Sequence, residues 1–471
     1  MITNKAKYSY GVGALGKDLA YAVVALYAMF FFTDVAGVSP AFVGALFLGA
    51  RLWDAVNDPI MGWIVDNTRS RFGKFRPWIL IGTALNAVIT IGLFVVPNNI
   101  PVEGYIAILY VLWGMTYTLM DIPFWSMVPA LSKTKAERER VAVVPRMFAS
   151  GAWLLIGVAG LPLVNALGGG DDAQGYFLLA VLIALVFTIS SLITFFNVKE
   201  IYPADPNAEK VSLKSAAKLI GQNDQLRVLA IILIGFNLVL QITGGAALYY
   251  FKYVVGSEAM FSVYAGGMGI AQITGLFLLP RIAGRIGRVR TFGLATLLPI
   301  VGFAGLFLVG QFSATNMILT AAMSFIANIG VGFFLGLSVV MMADVVDYGE
   351  YKFGTRNESL YFSIQPLAVK FAMAIAGMVV GMGLTIMGYQ ANAEVQSTST
   401  VIGLQVLMFA MPMIIAAASY AVYRKFYRIN GAFHDEVLAT LDAKHEVEAA
   451  TARIAAEADL GAPADATSVK V

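Results

Sequence analysis

Three strongly polar residues lie close together inside an apolar stretch of the sequence. Asp54, Asn57 and Asp58 fall in a segment that begins near Ala41 and is long enough to cross a bilayer. At 3.6 residues per turn, Asp54 and Asp58 lie on one face of a helix and Asn57 lies beside them. Two carboxylates without a basic neighbour are costly inside hydrocarbon, so this spacing predicts a site that a cation enters and leaves.

A second polar group lies in the apolar stretch from Trp113 to Trp125. Thr118, Asp121 and Trp125 are spaced by three and four residues and share a helical face. Tyr117 borders this face. A carboxylate can accept hydrogen bonds from two sugar hydroxyls while an indole ring lies against the apolar side of the sugar. We therefore predict a sugar-binding face here; the alternative for Trp125 is the aromatic belt at the membrane boundary, which does not account for Asp121.

Together, the two groups predict a coupled site. Asp54, Asn57, Asp58 and Thr118 would offer a cation only oxygen ligands, which suit Na⁺ or Li⁺, and two carboxylates can also hold H⁺. Because Asp121 would feel the same positive charge, cation and sugar should each favour binding of the other, which is the basis of symport. The structural alternative is a set of ion pairs that only fastens the helices together.

The composition assigns these residues to a membrane protein. The chain has 471 residues, of which 59% are hydrophobic and 13% are charged, whereas soluble domains carry roughly 25% charged residues. It has no cysteine, which excludes thiolate catalysis, and its two histidines lie in the C-terminal tail. Phosphate-binding and other catalytic motifs are also missing from the sequence. We expect a protein that is not an enzyme and that needs no cofactor.

About twelve apolar stretches are each long enough to cross the hydrocarbon core of roughly 30 Å. They cover residues 10–33, 41–65, 77–97, 105–128, 147–168, 176–197, 228–254, 258–280, 290–310, 316–343, 361–388 and 401–423. They lack the alternation of apolar and polar residues that spanning strands require. The sequence therefore predicts an all-α membrane protein with twelve transmembrane helices.

The connections between these stretches predict the orientation. Basic residues concentrate in segments 66–76, 131–146 and 281–290, and the intervening short loops contain no Lys or Arg. By the positive-inside rule, the basic segments and both termini are cytoplasmic. The same rule accounts for the basic clusters, so we expect a lipid bilayer and no nucleic acid as the partner of this chain.

The longest polar connection between the apolar stretches divides them six and six. We predict an N-terminal six-helix bundle in 1–198, a central cytoplasmic linker in 199–227 and a C-terminal six-helix bundle in 228–424. The cytoplasmic tail, 425–471, is rich in Ala, Glu, Asp and Lys, so we predict a solvated helix followed by disorder, with no part in the chemistry. A carrier with six plus six helices binds its substrate between the halves, near the midplane.

Further charges fall inside the predicted spans. They are Lys17 and Asp18 in the first span, Asp344 and Asp347 at the end of the tenth, and Lys370 in the eleventh. Each costs on the order of 2–4 kcal/mol to insert, so partners or water must stabilise them.

Several motifs resemble one transporter family. These motifs are Gly16-Lys17-Asp18, Arg51 to Trp63, Arg69 to Trp78, Trp113 to Trp125, Ala343 to Glu350 and the region around Lys370. From about residue 5 to 430 the chain is similar to the melibiose-carrier family, the bacterial glycoside-pentoside-hexuronide:cation symporters of the major facilitator superfamily. The resemblance implies the major facilitator fold, a location in the bacterial inner membrane, and cation-coupled symport of a sugar by alternating access.

The resemblance also implies roles for individual residues. The implied sugar-binding residues are Lys17, Asp18, Tyr117, Asp121, Trp125, Arg146 and Lys370. The implied cation site, a Na⁺ site, consists of Asp54, Asn57, Asp58 and Thr118. The implied inner gate consists of Asp344, Asp347, Glu350 and Arg356. Lys370 matches a lysine of the second half that approaches the acidic cluster.

Three positions depart from the family pattern. Ala25, Leu335 and Pro366 stand where melibiose carriers have an aromatic, an aromatic and a hydroxyl residue. The substrate is therefore expected to be a sugar or glycoside, melibiose-like or a related oligosaccharide, and not necessarily an α-galactoside. We expect Na⁺ coupling, with Li⁺ or H⁺ as alternatives, and a functional monomer. The rival functions are a same-family carrier of a pentoside, hexuronide or lysolipid, and an H⁺-coupled antiporter.

Overall fold

The computed structural model describes residues 3–131, 135–200, 221–354, 361 and 364–461. Every regular element in this part of the chain is helical. Eleven of the described helices are long and apolar enough to cross a membrane. The prediction of an all-α, multi-pass membrane protein is thereby confirmed.

The helices are named here in chain order. The first six are α1 (Asn4–Phe30, continued by a π-helical turn, Phe31–Val35), α2 (Pro40–Asn67), α3 (Arg76–Leu93), α4 (Val102–Ser126), α5 (Lys135–Gly168) and α6 (Asp172–Asn197). The next five are α7 (Asp224–Tyr253), α8 (Ala259–Ile286), α9 (Arg288–Phe312), α10 (Met317–Phe353) and α11 (Ile364–Ile386). The last two are α12 (Thr398–Gln405, a π-helical turn Val406–Ala410, and Met411–Phe426) and α13 (Ala432–Gly461). A 3₁₀ turn, Val128–Leu131, follows α4.

Helix α2 is not one of the eleven apolar helices, although its 28 residues give it a length of about 42 Å. It carries Arg51, Asp54 and Asp58, which the sequence places inside a span. It packs against α4 and α11. The charged residues of α2 therefore have two neighbouring helices on which to find partners.

Two helices extend beyond the spans that hydropathy predicts. Helix α5 begins at Lys135 instead of near residue 147, because its first residues are Ala, Glu and Arg, which are strong helix formers. Helix α10 ends at Phe353 instead of near residue 343. The next residue, Gly354, adopts a left-handed conformation, and its N–H donates a hydrogen bond to the carbonyl of Glu350. Part of the predicted basic loop 131–146 is therefore helical.

Packing groups the early helices with one another and the late helices with one another. Helix α1 packs against α5 and α6, and α3 against α4 and α6; α7 packs against α11 and α12, and α10 against α8 and α9. Contacts between α2 and α11, and between α5 and α8, join the two groups. At the first of these junctions a Cβ on Gly381 would lie 2.7 Å from the Cα of Gly44, so only glycine allows this approach.

The tail helix α13, predicted as a solvated helix, packs one face against α10. Val437 and Leu441 are buried, and the ring of Phe433 contacts Tyr348 of α10. Phe433, Val437 and Leu441 are spaced by four residues and form an apolar stripe. The charged and alanine-rich composition of the tail obscures this stripe. The predicted disorder falls partly on residues 462–471, which lie outside the described residues.

We expect Val437→Asp to release α13 from α10, because it places a charge within a buried contact. Hydrogen exchange of the α13 amides should become faster, and limited proteolysis should remove the tail sooner. The matched control is Ala439→Asp, which adds the same charge two residues away at an exposed position and should leave both readouts unchanged. Equal exchange rates in the two variants would contradict the docking.

Candidate cation and sugar site

Lys17 connects the acids of α1 and α4. Its Nζ lies 3.0 Å from Oδ2 of Asp18 and 2.7 Å from Oδ1 of Asp121. The Tyr117 hydroxyl lies 3.3 Å from the same Nζ. The Lys17 side chain is 3% exposed, whereas that of Asp121 is 31% exposed. One ammonium thus neutralises two carboxylates, and Asp121 is the acid of this cluster that is more open to a ligand.

Trp125 lies beside this cluster and lines an internal cavity. The centre of one of its rings is 5.1 Å from Lys17 Nζ and 5.9 Å from the guanidinium carbon of Arg146. Such cation–π contacts hold the indole in place. The aromatic-belt alternative for Trp125 does not predict a position on an internal cavity.

The cavity has a volume of about 790 Å³ and is lined by residues of eight helices, α1, α2, α4, α5, α7, α8, α10 and α11. Pockets for small molecules usually measure roughly 300–1,000 Å³. Of the predicted sugar-binding residues, Trp125 and Arg146 line it, while Asp18 and Asp121 lie next to them through Lys17. The remaining lining is mainly apolar.

Asp58 of α2 connects three helices. It forms an ion pair with Lys370 of α11, and it accepts a hydrogen bond of 3.2 Å from the Thr118 hydroxyl of α4. The Asp58 and Lys370 side chains are 25% and 34% exposed. The ion pair therefore joins two residues 312 positions apart, and both of its side chains are partly exposed.

Asp54 is paired within its own helix. Its Oδ2 lies 2.8 Å from Nη1 of Arg51, and Nη2 of Arg51 lies 3.4 Å from the Tyr110 hydroxyl. The prediction that the two carboxylates lack a basic neighbour is therefore wrong. Arg51 precedes Asp54 by three residues, a spacing that places both on one helical face. Asn57 lies between the two acids, and its buried Nδ2 has no hydrogen-bond partner among the described residues.

The acids predicted as an inner gate lie on the last turns of α10. Asp344 is 2.9 Å from Nη1 of Arg288 and 3.2 Å from Nε2 of His434. Glu350 is 3.5 Å from Nζ of Lys444. Two of these three partners, His434 and Lys444, belong to α13, so the tail helix forms ion pairs with the acids of α10. Asp347 lies on the same helix, and Arg356 lies outside the described residues.

Comparison with known proteins identifies the family of the chain. The model of the MFS/sugar transport protein family, in which MFS denotes the major facilitator superfamily, matches residues 9–431. The chain belongs to this family. It is a membrane transporter and not an enzyme, and its resemblance to the glycoside-pentoside-hexuronide:cation symporters is confirmed.

Individual relatives align with this transporter over nearly its whole length. The isoprimeverose transporter of Lactiplantibacillus pentosus is 31% identical over 458 residues, covering 96% of this chain and 94% of the relative. A putative glycoside/cation symporter of Escherichia coli K12 is 28% identical, covering 92% and 93%. A bacterial homolog of the human lysosomal transporter Spinster, in an inward-facing, unoccupied structure, superposes with a TM-score of 0.67 at 16% identity, covering 89% of this chain and 97% of the other. That likeness shows the major facilitator fold.

Two of the three departures from the family pattern line the transporter's cavity. Ala25 of α1 and Leu335 of α10 are lining residues, whereas Pro366 is exposed and lies outside the lining. Their small or apolar side chains shape the cavity wall. At these two positions the cavity wall is therefore apolar and lacks the aromatic side chains that the resemblance implies.

Sequence reasoning missed a buried polar network around Asp34, at the end of α1. The Asp34 carboxylate accepts hydrogen bonds from the hydroxyls of Tyr253, Tyr389 and Thr33, the last two at 2.5 and 2.7 Å. Asn392 donates to the Asp34 carbonyl at 2.7 Å. Burial and the nearby carboxylate raise the pKa of Tyr389, so its hydroxyl remains a donor. An acid at the end of a span is unremarkable in sequence, and its partners lie far along the chain.

We expect Lys17→Met to destabilise the transporter by on the order of 3 kcal/mol, because it leaves two carboxylates without their shared counter-charge. The thermal midpoint of the detergent-purified protein, followed by tryptophan fluorescence, should fall. Lys17→Arg, which keeps the positive charge, should lower the thermal midpoint much less. Combining Lys17→Met with Asp121→Asn should recover part of the loss, and strictly additive effects would contradict a direct pair.

Proposed function

We propose that this transporter is a secondary active carrier that couples uptake of a sugar or glycoside to a monovalent cation. The observation that best supports this proposal is that one helix, α4, contributes residues to both predicted sites. On α4, Thr118 bonds Asp58 of the cation cluster, and Asp121, three residues later, contacts Lys17 of the sugar cluster. Three residues along a helix correspond to about 4.5 Å. The names of the relatives, a sugar transporter and a glycoside/cation symporter, support the same function.

The coupling follows from exchange of counter-charges. A cation bound by Asp58, Thr118 and Asp54 takes over the role of the Lys370 ammonium, which is then free to leave Asp58. The cation also fixes Thr118, and therefore the position of Asp121 on the same helix. Sugar binding at Asp121 and Asp18 in turn holds α4 in the arrangement that favours the cation, since coupling between two sites is reciprocal.

Na⁺ is the coupling ion that this cluster supports best. Carboxylate, hydroxyl and amide oxygens of Asp54, Asp58, Thr118 and Asn57 are hard ligands that suit a small cation. Li⁺ is a chemically similar alternative, whereas H⁺ would need only a carboxylate. The membrane potential adds about 2.3 kcal/mol per charge for each 100 mV to inward movement of the loaded carrier.

We propose twelve spans, with α2 as the twelfth, in a monomer in the bacterial inner membrane with both termini cytoplasmic. The N-terminal bundle occupies 1–198, the central linker 199–227, the C-terminal bundle 228–424 and the tail 425–471. The distribution of basic segments supports this orientation. In it, the Asp34 network lies at the outer end of the helices and Asp344 at the inner end.

Transport proceeds by alternating access between the two bundles. The Asp34 network supports an outer closure, because it joins α1 to Tyr253 of α7 and to Tyr389 and Asn392, which follow α11. The inner closure is proposed to involve the acids of α10, Asp344 and Glu350 among them. Opening to the outside requires the Asp34 bonds to break.

A same-family carrier of a less polar substrate is the second candidate. The observation that favours it is the mainly apolar lining of the cavity, which includes Ala25 and Leu335. A lysolipid would leave Asp121 and Lys17 without hydroxyl partners, which favours the sugar. Counterflow with a panel of glycosides, pentosides, hexuronides and a lysolipid separates these classes.

Asp58→Cys should abolish cation-driven accumulation, because it removes the carboxylate that bonds Thr118 and pairs with Lys370. Accumulation of the wild-type substrate in membrane vesicles, with and without an imposed Na⁺ gradient, is the measurement. Repeating it at two pH values and with Li⁺ identifies the coupling ion. Asp172→Asn, at an exposed position outside the cavity, is the control and should transport normally. Uphill uptake that persists in Asp58→Cys would refute the assignment of the site.

Removing both tyrosine hydroxyls of the Asp34 network should favour the outward-open form. In a Met29→Cys background, which places the only thiol on the cavity lining, Tyr253→Phe with Tyr389→Phe should raise the rate of labelling by an impermeant maleimide from outside by at least about tenfold. Hydrogen bonds to a charged group each contribute about 1.5–3 kcal/mol, so their loss weakens the closure. Tyr105→Phe, which removes a hydroxyl bonded to the Gly92 carbonyl, is the control. Unchanged labelling in the double variant would exclude an outer closure at Asp34.

A further inference from the structure

We propose that Gln241 of α7 and Gln272 of α8 form a second sugar subsite, which binds hydroxyls of the second ring of a disaccharide or glycoside. This inference rests on the proposed transport of a sugar. It adds a polar subsite on two helices that carry none of the predicted sugar-binding residues. The acids around Lys17 would hold one ring and the two amides the other.

Both glutamines line the same cavity as Trp125 and Arg146. The other lining residues of α7 and α8 are apolar or glycine: Leu240, Gly244, Gly245, Ala265, Met268, Gly269, Ile273 and Leu276. An amide in an apolar wall is stabilised only when its polar atoms find hydrogen-bond partners. The two side chains therefore favour a ligand that brings hydroxyl groups to this part of the wall.

A hydrogen bond to Asn328 of α10 orients the side chain of Gln272. Its Nε2 donates to Oδ1 of Asn328 at 3.3 Å, and Asn328, 1% exposed, donates to the Ser324 carbonyl at 3.0 Å. The Ser324 hydroxyl bonds the carbonyl of Tyr264 at 2.7 Å. Within the described part of the chain, Oε1 of Gln272 has no hydrogen-bond partner. A side chain held in this way presents an acceptor in a defined position, as specific recognition requires.

Gln241 lies beside open space on α7. Its side chain forms no hydrogen bond with the described residues. Gly244 and Gly245 follow it by one turn on the same face, and a Cβ built on Gly244 would meet nothing within 4 Å. The helix thus offers an amide next to bare backbone, which leaves room for a ring against it. An amide can donate and accept at once, so it matches two neighbouring hydroxyls of a pyranose.

The size of the cavity agrees with a substrate of two rings. Its volume of about 790 Å³ lies toward the upper end of the range for pockets that hold drug-sized molecules. Trp125 and Arg146 contribute to its wall from α4 and α5, and Gln241 and Gln272 from α7 and α8. A disaccharide that contacts both pairs is held by both groups of helices, whereas a monosaccharide at the acids is not.

The test compares disaccharides with their component monosaccharides on purified full-length transporter in Na⁺. The probes are isoprimeverose, melibiose and lactose, with xylose, glucose and galactose, measured by isothermal titration calorimetry. Gln241→Leu and Gln272→Leu should each weaken binding of the preferred disaccharide about five- to tenfold, the effect of one lost hydrogen bond. Monosaccharide binding should stay within twofold. Gln272→Asn, which keeps the amide, should show a smaller loss, and Gln174→Leu, outside the cavity, should show none.

The outcomes separate this inference from the proposed function. Suppose that the wild type binds sugars. If the leucine variants then weaken binding of disaccharides and monosaccharides equally, or weaken binding of neither, the subsite is refuted and the sugar function stands. A wild-type preference for monosaccharides also refutes the subsite. If the wild type binds no probe with or without Na⁺, the proposed function fails and the subsite with it. Unchanged thermal midpoints of the variants show that a selective loss does not arise from misfolding.

Discussion

A carboxylate inside hydrocarbon needs a counter-charge, and this requirement governs how the transporter's polar residues are arranged. Lys17 serves Asp18 and Asp121, Arg51 serves Asp54, and Lys370 serves Asp58. Removing one partner of such a pair costs more than the pair contributes, because the remaining charge stays buried. The bases therefore hold the acids in place while no ligand is bound. In the proposed function, a cation that displaces one of these bases would have to replace its positive charge.

The three bases differ in how easily they can be replaced. Arg51 belongs to the same helix as Asp54 and is largely buried, so that pair remains intact whenever α2 moves as a body. Lys370 is partly exposed and comes from α11, so the Asp58 pair depends on how α2 and α11 meet. Gly44 and Gly381 bring these two helices into backbone contact. The pair most open to exchange is thus also the pair that depends on contact between the two groups of helices.

Hydropathy and helical spacing predict much of this architecture, and they fail where partners are distant in sequence. The helical class and the approximate spans follow from apolar stretches of about 20 residues, and the shared face of Thr118, Asp121 and Trp125 follows from a period of 3.6. The Arg51–Asp54 pair could have been predicted from the sequence, because residues three apart on one helix lie close enough to pair. The partners of Asp58 and Asp34 could not, since Lys370 and Tyr389 lie more than 300 residues away. Hydropathy identified Lys370 as a charge inside a span, but only the family resemblance predicted that it approaches the acidic cluster.

In the proposed cation site, coupling corresponds to competition for one carboxylate. In the proposed site, Lys370 and a cation would both neutralise Asp58, but from different helices: Lys370 reaches Asp58 from α11, whereas a cation bound by Asp58 and the Thr118 oxygen would have its ligands on α2 and α4. Replacing Lys370 would therefore exchange an ion pair between α2 and α11 for a cation held between α2 and α4, which already share the hydrogen bond from Thr118 to Asp58. The first crosses the two groups of helices and the second stays within one of them. A cation bound at the proposed site would loosen the α2–α11 contact between the two groups of helices and, through Thr118, would order the helix that carries Asp121.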